Sequence, residues 1–325
     1  MFLLSGAEIE LFFPDGFALP DVDIFAFREE PNPTDYLAQL RHVDPDVVVT
    51  SWSTPKFTEE VLGELPSLRY ICHTSGSVRQ LVPRSFLEQG IIVTNWGTLA
   101  AESVAEHGLL LILSALRRSP EWPPVIAGKL PWQPSPIRTQ TLFRKRVGIH
   151  GFGNVARALV SLLQPFSVSI SAFSHGVPSA DFNKHGVHEC ESLEALFSQS
   201  DIVVECEALN PLTSGCVSQA VLECLPPGAV FVNIGRGAVV DEAALAQLAH
   251  AGRLRAALDV FFSDPIAPDS PLHDVDGIVM SPHIAGPTSD QLARCGLLAR
   301  ENIDAFFHGE PLVARVTLDI YDRAT

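Results

Sequence analysis

Short all-apolar runs alternate along this chain with stretches whose apolar residues recur every three or four positions. DVVVTSW (46–52), LRYICHT (68–74) and IIVTNW (91–96) read as buried strands, and FTEEVLGEL, with Thr58 near its start, reads as a helix between the first two. Fully apolar strands separated by helical periods predict a parallel sheet covered by helices. Ala101 to Arg117 reads as one long apolar helix, in which the run 108–116 is too short to cross a bilayer. Ser119 to Pro136 carries six prolines and predicts a surface excursion. A second alternating series follows, with strands over Val147–Ile149, SVSISAF (167–173), DIVVEC (201–206), GAVFVNIG (228–235), RAALDVF (255–261) and GIVMSPH (277–283). Between them, SLEALFSQ with Ser192 as its cap and DEAALAQLAHAG ending at Gly252 read as helices. A last helix finishes near Gly309. Six strands with intervening helices are the layout of a complete dinucleotide-binding unit.

The first strand of that second series runs into a turn with chemical content. Gly151, Gly153 and Ala156 stand in G-x-G-x-x-A spacing, and Val155, Leu159, Leu162 and Leu163 then recur at helical spacing until Pro165. Gly151 permits the sharp turn, Gly153 lets backbone approach a pyrophosphate, and Ala156 lets the helix sit close to the strand. The turn Gly151–Phe152–Gly153–Asn154–Val155 thus offers amides and a partial positive charge to an anion. The spacing alone is a weak signal, and its flanking strand and amphipathic helix are what favour a dinucleotide.

Composition narrows the picture. The chain has 325 residues, room for two domains, and 46% are hydrophobic. Its formal net charge of −16 argues against nucleic acid or an anionic membrane surface as partner. Glu8 and Glu10 interrupt the opening apolar residues, so no signal peptide is expected. Six cysteines without a C-x-x-C pair read as free thiols in a reducing cytoplasm, with no metal site expected.

Arg236, Asp264 and His283 stand at the ends of successive strands of the second series, where ligands of open α/β sheets bind. A guanidinium can hold a carboxylate or carbonyl oxygen, an imidazolium can protonate that oxygen, and a carboxylate can orient the imidazole. Taken singly, Arg236 between two glycines equally reads as an exposed turn residue, Asp264 before Pro265 as loop chemistry, and His283 as a buried structural histidine.

Taken together they carry a resemblance. VGIHGFGNVARAL, ALNPLTSGCV, PPGAVFVNIGRGAVVDEAAL, GRLRAALDVFFSDPI, SPHIAG and AESVAEHGLLLILSALRR resemble, in order and spacing, the D-isomer-specific 2-hydroxyacid dehydrogenase family. The resemblance implies two Rossmann-like α/β domains: a split, flavodoxin-like substrate domain (1–102 and 288–325) with a dinucleotide-binding domain (103–287) inserted. It implies a catalytic set of Arg236, Asp264 and His283, and backbone amides around Ser75, Gly76 and Ser77 as ligands of the substrate carboxylate. It places Asp259 near the nicotinamide carboxamide, has Cys206, Ala208, Thr213, Ile234, Gly235 and Gly286 line the cofactor groove, and suggests a homodimer.

Departures matter as much. Asp264 stands where the family usually has glutamate, and Ala100 where it commonly has asparagine. Trp52 stands where phosphoglycerate-specific relatives tend to carry arginine, which favours a non-phosphorylated 2-oxo acid: glyoxylate, hydroxypyruvate or a larger, apolar or aromatic one. About 20 residues past the glycines, where an acid normally accepts the ribose of NAD, the chain reads Phe173–Ser174–His175–Gly176. With no carboxylate there to repel a 2′-phosphate, the sequence leans slightly to NADP over NAD. His150 reads as packed beside the turn, and Glu102 and Glu106 as capping or hinge groups of the long helix. The leading expectation is an NAD(P)-dependent 2-oxo acid reductase. An NAD(P)-sensing binding protein of corepressor type is the competing reading, and a formate or phosphite dehydrogenase a weaker third.

Overall fold

The computed structural model describes residues 1–26, 35–133, 135 and 137–323. The chain divides into two compact units, Met1–Ala100 with Pro287–Thr325, and Ala101–Gly286.

The first unit is built on a parallel sheet of β1 (Phe2–Leu3), β2 (Val47–Thr50), β3 (Tyr70–His73) and β4 (Ile92–Thr94), in that spatial order. A parallel bridge from Phe2 to Ala26 lies on the other edge of β1. Counted with that crossing, the order is the 2-1-3-4-5 of flavodoxin-like sheets. Every residue of β1, β2 and β3 is buried, as expected of parallel strands covered on both faces. The opening residues form structure that the hydropathy pattern did not reveal. The helix Gly6–Phe12 starts at Ser5, whose hydroxyl accepts from the Glu8 amide while the Glu8 carboxylate accepts from the Ser5 amide, a reciprocal capping box. The helix Leu292–His308 ends on Gly309 in the left-handed conformation at φ 71°, where glycine carries no Cβ penalty.

The second unit holds seven parallel strands: β5 (Arg146–His150), β6 (Ser169–Phe173), β7 (His188–Glu189), β8 (Ile202–Glu205), β9 (Ala229–Asn233), β10 (Leu254–Leu258) and β11 (Val279–Met280). Their order is β11-β10-β9-β8-β5-β6-β7, so the reversal of winding, where such sheets bind ligands, lies between β5 and β8. Among the described residues the expected six strands are corrected to seven: β7 is two exposed polar residues and has no apolar run to betray it. One apolar cluster, with Leu111, Ile112, Ala156, Leu159 and Leu163, and a second, with Leu196, Phe197, Val221, Leu222 and Leu245, make the cores of this unit.

Two stretches of the expected pattern gain detail. The proline-rich stretch is not all irregular, because Ser119–Glu121 forms a 3₁₀ turn and Trp122–Ile126 a short helix begun by prolines, whose missing N–H costs nothing there. Its Pro134 and Pro136 lie outside the described residues. The long helix runs Leu99–Arg117, and its 19 residues are enough in length and composition to span a bilayer. Its Ala105, Leu111, Ile112, Ala115 and Leu116 are instead buried in the core of the second unit.

Candidate active site

The glycine turn leaves β5 at the winding reversal. Gly151 has φ 87°, and a Cβ on it would lie 2.6 Å from the Glu207 nitrogen, so only glycine serves there. A Cβ on Gly153 would meet nothing within 4 Å, which leaves open space beside the turn. The helix Asn154–Leu163 starts at Gly153 without a side-chain cap, so its first amides are left for a ligand. Ala156 is fully buried against the strand side, as its small size requires, and Val155 is half-buried. Phe152 is buried and packs on Phe182, ring centroids 4.6 Å apart. These features fit a dinucleotide pyrophosphate.

The carboxyl ends of β9 and β10 and the residues after β11 carry the charged groups. Arg236, just past β9, is half-buried, and one guanidinium nitrogen donates to the Gly235 carbonyl at 2.7 Å. Burial lowers its pKa from the ordinary guanidinium value, with the Asp264 carboxylate opposing. It is therefore not the exposed turn residue that its flanking glycines allowed. His283 Nδ1 lies 2.8 Å from Asp264 Oδ2, so the shorter acid reaches the ring directly and needs no bridging water. The ring is about half exposed, and Nε2 has no partner among the described residues. His283 sits at φ 54°, in the left-handed region that is uncommon for residues other than glycine. Its N–H donates to the Asp259 carbonyl at 2.9 Å.

Asp259, at the end of β10, explains how that backbone is held. Its carboxylate, 1% exposed, accepts from the Ser281 hydroxyl at 2.6 Å, the Ile284 amide at 3.0 Å and the Ala285 amide at 2.9 Å. His107 Nε2 lies 3.4 Å from the same carboxylate and 2.8 Å from Ser281 Oγ. Burial works against the charge, yet these hydrogen bonds hold the Asp259 pKa below the usual carboxylate range. His107 escaped the sequence reading, which looked to Glu102 and Glu106, both exposed, on the same helix.

The remaining groove residues follow β8 and β9. The Thr213 hydroxyl donates to the Ala208 carbonyl at 2.6 Å and accepts from the Asn210 amide at 2.8 Å, which pins the loop after β8. Ile234 is buried, and a Cβ on Gly108 would lie 2.8 Å from its Cδ1. The buried Gly235 donates its amide to Asn233 Oδ1 at 3.0 Å, and Gly286 is half-buried. Burial, then the carboxylates of Glu205 and Glu207, push the Cys206 thiol well above its ordinary pKa, so it is protonated.

One premise of the cofactor reading is overturned. A carboxylate does stand at the end of β6, supplied from the loop after β8: the Ser174 hydroxyl donates to Glu207 Oε2 at 2.8 Å. His175 beside it is exposed, edge-on to Phe173 at 5.1 Å. His150 is buried as expected, but with Nδ1 2.5 Å from the buried Glu205 carboxylate. Burial alone would lower its pKa, and Glu205 reverses the sign and raises it.

In the first unit the loop after β3 is shaped by polar contacts. Ser75 is buried, its hydroxyl 2.6 Å from His73 Nε2 and its carbonyl accepting from the Trp96 amide at 3.1 Å. The Gly76 carbonyl accepts from Asn95 Nδ2 at 2.7 Å, and Ser77 Oγ from the Arg79 amide at 3.4 Å. The amides of Gly76 and Ser77 find no acceptor among the described residues. A Cβ on Gly76 would strike the Trp96 ring at 2.9 Å. Trp52, 55% exposed, has its ring 6.3 Å from that of Trp96 and 5.3 Å from that of Phe12. His73, Asn95 and Trp96 were not singled out in the sequence.

Residues 109–285 match the family model described as D-isomer specific 2-hydroxyacid dehydrogenase, NAD binding domain. A hydroxyphenylpyruvate reductase of Plectranthus scutellarioides is 31% identical over 296 residues, 90% of this chain and 92% of that protein. A D-3-phosphoglycerate dehydrogenase of Mycobacterium leprae is 29% identical over 303 residues, 93% of this chain but 56% of that protein. The chain spans about half the length of the mycobacterial relatives it matches. The solved 2-hydroxyacid dehydrogenase of Ketogulonicigenium vulgare superposes with a TM-score of 0.77 at 26% identity, covering 89% of this chain and 90% of that one. The glycine turn, the winding reversal and these matches together make the chain a member of the D-isomer-specific 2-hydroxyacid dehydrogenase family.

Proposed function

We propose that this protein transfers a hydride between NAD(P) and a small 2-oxo or 2-hydroxy acid, with His283 as the proton-carrying group. The observation that carries the reading is the direct 2.8 Å contact of His283 Nδ1 with Asp264, which leaves Nε2 available to a substrate oxygen. When bound, the reduced dinucleotide supplies the hydride. His283 holds a proton at Nε2 and passes it to the carbonyl oxygen of the 2-oxo acid. Asp264 fixes the ring by accepting at Nδ1. Arg236 binds the substrate's oxygens through its forked donors. Within the first unit, the amides of Gly76 and Ser77, set by Ser75, Asn95 and Trp96, are donors suited to a carboxylate. The first amides of the helix after the glycine turn hold the pyrophosphate. Asp259 serves by positioning the His283 segment.

The substrate we favour is non-phosphorylated with an apolar side chain, because the Trp52, Trp96 and Phe12 rings stand in the unit that carries the Ser75–Ser77 loop. One relative is named for hydroxyphenylpyruvate. Against a sensing role without turnover, Asp264, though one methylene shorter than the family's usual glutamate, contacts His283 directly. A cytoplasmic setting rests on the six free cysteines. A homodimer rests on the resemblance and on exposed apolar side chains at Leu110, Trp122, Ile126, Leu130 and Trp132.

The test is spectrophotometric: NADH or NADPH oxidation with glyoxylate, hydroxypyruvate, 3-phosphohydroxypyruvate and hydroxyphenylpyruvate. We expect turnover on a non-phosphorylated acid. Dinucleotide binding with no oxidation on any of them would replace this reading with the sensing one.

A further inference from the structure

We propose that Glu207 is the residue that selects the dinucleotide, making the protein specific for NAD over NADP. The proposal rests on the dinucleotide reading above and deepens it. In sheets of this kind an acid at the end of the second strand accepts the hydroxyls of the adenosine ribose. Here that strand is β6, and its end offers only Ser174 and His175. The acid arrives from a different strand. Because β8 and β6 flank β5, the residues after both come together over the glycine turn. The Glu207 backbone lies against Gly151, and its Oε2 accepts the Ser174 hydroxyl at 2.8 Å.

The carboxylate is held as a ligand group should be. Its own amide donates to Glu205 Oε1 at 2.7 Å, and the Ala208 amide donates to its Oε1 at 3.0 Å. Each carboxylate oxygen therefore has one protein donor and keeps a lone pair for a ribose hydroxyl. A 2′-phosphate brings close to two further negative charges to the same place. It would face Glu207, with Glu205 behind it. Of the basic groups near this rim, His150 is buried against Glu205, Arg157 is paired with Asp181 at 3.1 Å, and His175 lies exposed, edge-on to Phe173.

Titrating NADH and NADPH into the intact protein and following the dinucleotide's own fluorescence gives the two dissociation constants directly. The wild type should bind NADH more tightly by about tenfold to a hundredfold, the scale of hydrogen bonds to a charged group gained against charge repulsion. Glu207→Gln should tighten NADPH and weaken NADH, removing most of that ratio, and Ser174→Ala should reduce it less. Calorimetry on the wild type with AMP and adenosine 2′,5′-bisphosphate needs no variant, and only AMP should bind. Equal affinity for the two dinucleotides, tighter NADPH, or an unchanged ratio in folded Glu207→Gln would overturn the assignment of Glu207 alone. Binding of neither dinucleotide by the folded protein would overturn the dinucleotide reading and this inference with it.

Discussion

The carboxyl ends of the two sheets hold their histidines by opposite means. At the end of β3, His73 is buried between hydroxyls, with Thr50 Oγ1 2.9 Å from Nδ1 and Ser75 Oγ 2.6 Å from Nε2. Burial takes its pKa down to about 4, although the Glu8 carboxylate pulls the other way. At the end of β5, His150 is as deeply buried but faces Glu205, and its pKa goes up. Depth of burial is nearly the same, so the partner decides the charge. The first sheet presents a neutral, hydrogen-bonded scaffold suited to offering amides to an anion. The second carries Arg236, Asp264, His283, Glu205 and Glu207 at or just past its strand ends, the groups to which the proposed function assigns proton and cofactor chemistry.

Removing the proton carrier from the charged end sharpens this contrast most. His283→Gln should lower kcat by a factor on the order of 10²–10⁴, with dinucleotide binding kept, because general acid catalysis has about that worth. Full turnover in that variant, read by NADH oxidation, would take His283 out of the reaction. Asp259→Ala should come next, costing on the order of 1–3 kcal/mol or more in denaturant unfolding, since it leaves the buried Ser281, Ile284 and Ala285 donors without an acceptor. A loss below about 1 kcal/mol would mean that the carboxylate does not hold the His283 segment.

The neutral end is tested by pH. The folded pKa of His73 is about 4 and the unfolded value is near 6.5. Between those two values the unfolded chain takes up a proton that the folded chain refuses, so stability falls as the pH drops through that window. The full effect is about 3 kcal/mol. His150, with a raised folded value, acts with the opposite sign and loses its contribution as the pH rises. His73→Gln should therefore flatten the acid side of the stability profile relative to wild type, and an unchanged slope would show that His73 is not held neutral. The smallest effect is expected at the cap below the same network. Ser5→Ala should cost about 1 kcal/mol by thermal unfolding, since Ser5 caps the helix that carries Glu8.

What could be read in the sequence was what periodicity and local motifs encode. Gly151, Gly153 and Ala156 were legible because one turn supplies all three, and Arg236, Asp264 and His283 because each ends a strand-like run. Hidden features were of two kinds. β1 and β7 are two residues each, too short for a period to show. Glu207 meets Ser174 across 33 positions, Glu205 meets His150 across 55, and His107 meets Ser281 across 174. Such pairs exist only once the strand order is known, which is why the linear reading found no acid for the ribose.

The web of donors on Asp259 has a bearing on how the chain tolerates change. The direction in which the His283 imidazole points is inherited from its anchored backbone, fastened from behind by a group shut away from solvent. Asp264 completes that hold with a carboxylate oxygen 2.8 Å from Nδ1. With its backbone fastened in this way, His283 meets an aspartate directly.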